Sequence, residues 1–297
     1  MPARFRRPRL LIVGCGDIGL RVAGHLAARM RVIALTSSPG RIDELRTRGI
    51  LPVLGDLDQP RTLARLAGVA TRVVHLAPPP GEGWTDPRTR ALVAVLLRRN
   101  PPQVVVYGST SGVYGDCAGA WVDETRPVAP LTDRARRRVD AERALLEWGA
   151  RSEVRISILR VPGIYAADRL PIERLRQGTP ALLPEDDVFT NHIHADDLAM
   201  IVVAALERAT AGAIYNASDD SEMKMGEYFD LISDRAGLPR PQRISRAAAA
   251  GRISPMLLSF MNESRRLVNA RMKRELGVRL RYPTVREGVP ASIVVPA

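Results

Sequence analysis

Apolar and polar positions follow a repeating order through the first half of the chain: short apolar runs, then longer amphipathic stretches. Leu10–Val13 is an apolar run that leads into Gly14-Cys15-Gly16-Asp17-Ile18-Gly19. Helical spacing follows over Leu20–Met30, and then a second apolar run, Arg31–Leu35. This order predicts a β-α-β unit with parallel strands. The rhythm continues with a short strand at Leu51–Leu54, a helix near Pro60–Ala67 and a strand at Arg72–Leu76. That strand runs into Ala77-Pro78-Pro79-Pro80-Gly81, a segment that cannot be helical. Thr89–Arg99 has helical spacing, Gln103–Tyr107 is a β-branched strand, and a long helix spans about Thr132 to Trp148, capped by Thr132 or Asp133. Arg155–Arg160 is a further strand. Repeated units of this kind predict the α/β class: a doubly wound parallel sheet, or Rossmann fold, with ligands at the carboxyl ends of its strands.

After Val161-Pro162-Gly163 the rhythm changes, and breaks recur at Gly178, Pro180, Pro184, Gly212, Pro239, Pro241 and Pro255. We therefore expect a dinucleotide-binding domain over 1–160 and a smaller mixed α/β substrate lobe over 161–297. The boundary is soft, and elements can cross it.

The spacing Gly14-x-Gly16-x-x-Gly19, set between a strand and a helix, has a mechanism. Gly14 permits the tight turn, Gly16 lets the backbone approach a pyrophosphate, and Gly19 lets helix and strand pack closely. The helix N-terminus offers unpaired N–H groups, so Asp17 and Ile18 join the three glycines as candidate cofactor contacts. At the end of the second strand stand Thr36, Ser37, Ser38 and Arg41, with no carboxylate before Asp43. An NAD site places an acidic residue there, whereas hydroxyls with an arginine suit a 2′-phosphate. NADP is the preferred cofactor, with NAD the alternative.

Composition narrows the reading. The 297 residues are 45% hydrophobic and 26% charged, ordinary for a soluble globular protein. No run approaches the roughly 20 apolar residues of a membrane span. The N-terminus, with Arg4, Arg6, Arg7 and Arg9 before Leu10–Val13 and Cys15, imitates an export signal, but its apolar core falls short of the about 7–15 residues such a signal needs. Two cysteines make no disulfide framework, which points to a reducing, cytoplasmic location. The net charge of +12 comes almost wholly from scattered arginines, with lysine only at Lys224 and Lys273 and aromatics at 4%. That pattern argues against nucleic acid and for an anionic cofactor or substrate. A monomer or a homodimer is expected.

Further segments resemble the extended branch of the short-chain dehydrogenase/reductase superfamily, the NAD-dependent epimerase/dehydratase family. Gly55-Asp56-Leu57 resembles the family's adenine-contacting turn. Val106 to Gly115 resembles its Ser/Thr-x-x-Val-Tyr-Gly catalytic strand end, and Arg160-Val161-Pro162-Gly163-Ile164-Tyr165 the segment that passes the nicotinamide. Asn191-His192-Ile193-His194-Ala195-Asp196-Asp197 resembles the signature that opens a substrate-lobe helix, and Ser264–Asn269 with Leu276-Gly277 completes the likeness. The resemblance implies cofactor contacts at Asp56, Leu57 and Val161; Leu76, Ala77 and Pro78 at the end of the preceding strand join them.

The likeness breaks at the family's Tyr-x-x-x-Lys pair. Arg134 and Arg138 stand at those positions, and no Tyr-x-x-x-Lys occurs anywhere in the chain. Arginine does not shuttle protons near neutrality. Four apart on one helix face, Arg134 and Arg138 either clamp a carboxylate or phosphate or belong to a solvated face with Arg136 and Arg137. Thr110 matches the family's catalytic hydroxyl, and Tyr165 is a candidate substitute proton donor. Tyr114 is expected to pack beneath the loop and His194 to cap the next helix, with His192 the freer histidine for acid/base work. His25 and His75 read as structural, and neither histidines nor cysteines have the spacing of a metal site. The expected function is that of an NADP(H)-dependent oxidoreductase, epimerase-like, acting on a small anionic or sugar-like substrate without the usual pair. The alternative is a non-catalytic cofactor-binding sensor.

Overall fold

The computed structural model describes residues 7–293, so Arg4 and Arg6 lie outside the described residues. Seven strands form the central sheet: β1 (Arg9–Val13), β2 (Arg31–Thr36), β3 (Leu51–Leu54), β4 (Arg72–His75), β5 (Val104–Thr110), β6 (Arg155–Val161) and β7 (Ala213–Asn216). They lie side by side in the order β3-β2-β1-β4-β5-β6-β7, every neighbouring pair parallel. The order reverses between β1 and β4, which opens a crevice at the carboxyl ends of those strands.

The inner strands are largely apolar because both faces of the sheet are covered, whereas edge strand β3 leaves Leu51 and Leu54 exposed. Leu10 and Ile12 enter one core with residues of α1 (Asp17–Leu26), while Leu11 and Val13 enter another. The second core holds Leu92, Val95 and Leu96 of α3 (Pro87–Leu96) and Ala141, Leu145 and Trp148 of α4 (Asp133–Ala150). The short helix α2 (Ile42–Thr47) links β2 to β3.

Element boundaries differ from the sequence expectation where a cap or a long-range pairing decides them. α1 begins at Asp17, earlier than expected, because the glycine loop runs directly into its first turn with Gly16 as N-cap. α3 begins at Pro87, where the Asp86 carboxylate accepts from the Thr89 N–H at 3.1 Å. Thr132 caps α4 by accepting from the Ala135 N–H. Pro60–Leu66 is a 3₁₀ helix, not an α-helix. β5 runs three residues past Tyr107, because Gly108, Ser109 and Thr110 pair with Leu159, Arg160 and Val161 of β6. That extension makes Thr110 the carboxyl-terminal residue of β5.

Residues beyond 161 contribute to both halves of the molecule. β7 returns to the sheet beside β6, and helix α5 (Ala195–Arg208) shares the core beneath α1. The remaining segments enclose a separate core with Tyr165, Leu182, Met223, Phe229, Ile232 and Leu257. Among the described residues, no helix is long and apolar enough to cross a membrane.

Candidate active site

The glycine loop is held by two separate constraints. Gly14 has φ +83°, and a Cβ there would lie 2.3 Å from the Ala77 nitrogen, so the loop is pressed against the segment that follows β4. A Cβ on Gly19 would stand 3.1 Å from both Gly14 O and Ile12 Cγ2, which sets how closely α1 approaches β1. At Gly16 a Cβ would meet no atom within 4 Å. The Leu20 N–H makes the helix's first bond, to Gly16 O at 2.9 Å, so the N–H groups of Asp17 and Ile18 precede it at an end without a side-chain cap. Open space at Gly16 beside an uncapped N-terminus fits a diphosphate.

The adenosine end is equally defined. The Asp56 N–H donates to Thr62 Oγ1 at 2.8 Å, and its carboxylate accepts from the Asp58 N–H at 3.0 Å, fixing the turn that precedes half-buried Leu57. Thr36 is buried and its hydroxyl accepts from the Ser38 N–H, leaving Ser37 and Ser38 exposed. Arg41 reaches back to donate from Nη1 to Cys15 O at 2.7 Å and pairs with Glu44 at 3.1 Å. The guanidinium is thereby tied to the glycine loop. Burial pushes the Cys15 thiol up to about 11, so this cysteine is an inert part of the loop.

A cleft of about 810 Å³ adjoins the crevice at the carboxyl ends of β5 and β6. Thr110, Arg134, Arg138 and Pro78 line it; Leu76 and Ala77 precede Pro78, and buried Val161 pairs with Thr110. Thr110 Oγ1 accepts from the Gly112 N–H at 3.2 Å. Arg138 donates from Nη1 to Gly108 O at 2.8 Å and to the Tyr107 hydroxyl at 3.0 Å, which bolts α4 to the end of β5. Arg134 lies over the Phe260 ring at 4.4 Å, and burial pulls its pKa down.

Tyr165 is a correction to the sequence reading. The strand Gly163–Tyr165 pairs with His192–His194. Successive side chains of a strand point to opposite faces, so Ile164 lines the cleft while Tyr165 turns away from it. The Tyr165 hydroxyl donates to Thr284 O at 3.2 Å, the residue is 1% exposed, and burial pushes its pKa up. His192 is likewise not a free acid/base group: its ring packs 4.4 Å from that of Tyr228, and burial pushes its pKa down to about 3. The roles expected of His194, Tyr114 and His75 match their contacts. His194 Nδ1 accepts from the Asp196 N–H at 3.2 Å and caps α5. Buried Tyr114 donates to Asn216 Oδ1 at 2.8 Å, and buried His75 bonds Thr89. His25 is exposed on α1.

Several cleft residues had no motif to announce them. Arg174 lies over the Phe229 ring at 5.7 Å, and burial pulls its pKa down. Arg169 pairs with Asp17 at 2.9 Å. Glu263 is the one carboxylate lining the cleft among the described residues. A Cβ on Gly112 would lie 3.6 Å from Thr110 Oγ1 and 3.8 Å from Glu263 Oε2, so both groups border the Gly112 turn. Arg265 donates to Glu263 Oε2 from both Nη1 and Nη2 at 3.0 Å, leaving Oε1 outside that pair. Only the neighbouring Ser264-Arg265 run gave a hint of this arm in the sequence.

Beneath the cleft floor lies a buried ion pair. Arg160 Nη2 donates to Glu142 Oε2 at 2.9 Å, both side chains are 4% exposed, and Ser109 also donates to Glu142. The Arg160 guanidinium stacks 4.6 Å above the Tyr114 ring. The network joins α4, β5 and β6 through Ser109, the residue before Thr110.

The model of the NAD dependent epimerase/dehydratase family matches residues 10–218. The chain is 28% identical over 255 residues to the GDP-6-deoxy-D-mannose reductase of Pseudomonas aeruginosa, covering 77% of this chain and 80% of that one. A conserved protein of unknown function from Silicibacter pomeroyi has a solved structure 30% identical, covering 95% of this chain and 96% of its own, with a TM-score of 0.79. The dTDP-glucose 4,6-dehydratase of Bacillus anthracis, solved in complex with NAD, is similar in fold at 15% identity. It covers 96% of this chain and 95% of its own, with a TM-score of 0.78.

Proposed function

The chain belongs to the NAD dependent epimerase/dehydratase family, and from that premise we propose that it is an NADP(H)-using oxidoreductase acting on a small anionic substrate of the sugar-nucleotide type. The observation that carries this reading is the junction of two spaces. Arg169 links the open space at Gly16, through its bond to Asp17, to a cleft that it lines with Arg134, Arg174, Thr110 and Glu263. Arg41, fastened to the glycine loop beside Ser37 and Ser38, supports a 2′-phosphate over a free 2′-hydroxyl. The identity to a sugar-nucleotide reductase supports the substrate class.

When bound, the cofactor supplies the hydride acceptor or donor. The chain's own groups do the rest. Thr110 Oγ1 hydrogen-bonds the reacting oxygen, and Glu263 Oε1 takes its proton on oxidation and returns it on reduction. Arg134 and Arg174, each stacked on a phenylalanine, offer N–H edges to the substrate's anionic group. Arg138 holds the end of β5 in place.

The test follows the nicotinamide absorbance with NADP⁺ and either GDP-6-deoxy-D-mannose or UDP-glucose as probe. The wild type should turn over one of these. Thr110→Ala and Glu263→Gln should each lower kcat by about 100-fold, with dinucleotide affinity within about twofold. Full rates in both variants would contradict the placement of the active site. A wild type that binds the dinucleotide tightly yet turns over neither probe would favour the sensor reading.

A further inference from the structure

We propose that Arg169, delivered by the substrate lobe, is a direct contact for the diphosphate of the dinucleotide on the glycine loop. This inference rests on the dinucleotide binding read above and adds a ligand-contacting residue to it from outside the Rossmann half.

Asp17 is the first residue of α1, next to Gly16 and its open space. A carboxylate at that point would repel a diphosphate unless its charge were covered. Both of its oxygens are engaged by arginines: Oδ1 accepts from Arg21 Nε at 2.8 Å, and Oδ2 from Arg169 Nη1 at 2.9 Å. Arg21 also bonds Asp196 in the first turn of α5 and lies 3.7 Å from Asp168, so its charge is shared among three carboxylates. Arg169 is different. Among the described residues its side chain has one hydrogen-bond partner, Asp17; that side chain is 36% exposed, and the residue lines the substrate cleft as well. Nη1 of the guanidinium is thus spent on Asp17, while Nε and Nη2 have no hydrogen-bond partner among the described residues. An arginine fixed by a carboxylate on one edge and open on the other is pre-organised to bind a phosphate oxygen. Asp17 then serves as the anchor of a cation that reaches the loop from the segment after Tyr165.

Calorimetric titration of NADPH and NADH into the full chain tests this. Arg169→Ala should weaken both dinucleotides by the same factor, roughly 10- to 100-fold, because the diphosphate is common to them. Arg41→Ala should weaken NADPH alone, and Arg169→Lys should recover part of the loss. The Asp17→Asn/Arg169→Ala double variant separates direct contact from mere charge cover: it should stay as weak as Arg169→Ala. Recovery of wild-type affinity in the double variant would overturn the inference, because Arg169 would then only neutralise Asp17. Unchanged affinity in Arg169→Ala would overturn it while leaving the functional reading standing. A wild type that binds neither dinucleotide would overturn the functional reading first.

Discussion

Gly16→Val should abolish dinucleotide binding, lowering NADPH affinity by at least about 100-fold, while the protein keeps its fold. Both halves of this expectation come from the same geometry. No atom of the chain lies within 4 Å of a Cβ at position 16, so the new side chain meets no protein neighbour. The backbone there has φ −80° and ψ −153°, an extended conformation that a β-branched residue accepts. The isopropyl group instead fills the space in which a diphosphate must approach the helix N-terminus. Calorimetry with NADPH, beside a thermal melt, checks both halves. Retained affinity in a folded Gly16→Val variant would remove the glycine loop from the binding site.

Glu142→Leu should cost about 3–5 kcal/mol of stability, because it strands a buried charge. Arg160 is 4% exposed and would keep only the Tyr114 ring beneath it, while Ser109 would lose its acceptor. Replacing both partners removes that penalty, so Glu142→Leu/Arg160→Met should be more stable than the single variant. Urea unfolding of the three proteins measures the difference. A loss below about 1 kcal/mol in the single variant would show that the pair is not the buried support of the cleft floor.

What was legible in the sequence depended on the range of the interaction that sets each feature. Inner parallel strands are largely apolar runs, so β1 to β6 stood out to within a few residues at their ends, and the glycine loop between β1 and α1 carried its own signal. β7 did not stand out. Ala-Ile-Tyr-Asn is short, lies among breaks, and becomes part of the sheet only by pairing with β6. The same division runs through the cleft. Thr110, Arg134 and Arg138 sit in linear motifs and do line it together. Tyr165 sits in a motif as well, but a three-residue strand assigns its face by pairing, and the pairing turns it toward Thr284. Glu263 reaches the cleft from a distant segment, positioned by Arg265 and its bond to Gly115 O at 2.6 Å. No local spacing encodes that approach.

The most direct measurement is a paired titration of the wild type with NADPH and NADH at low and at high salt. A crevice whose Arg41 is fastened to the glycine loop should bind NADPH about tenfold more tightly than NADH at low salt, and the gap should narrow as salt rises, because the added contact is charge-assisted. Equal affinities at low salt, a preference for NADH, or no binding of either dinucleotide would contradict the account.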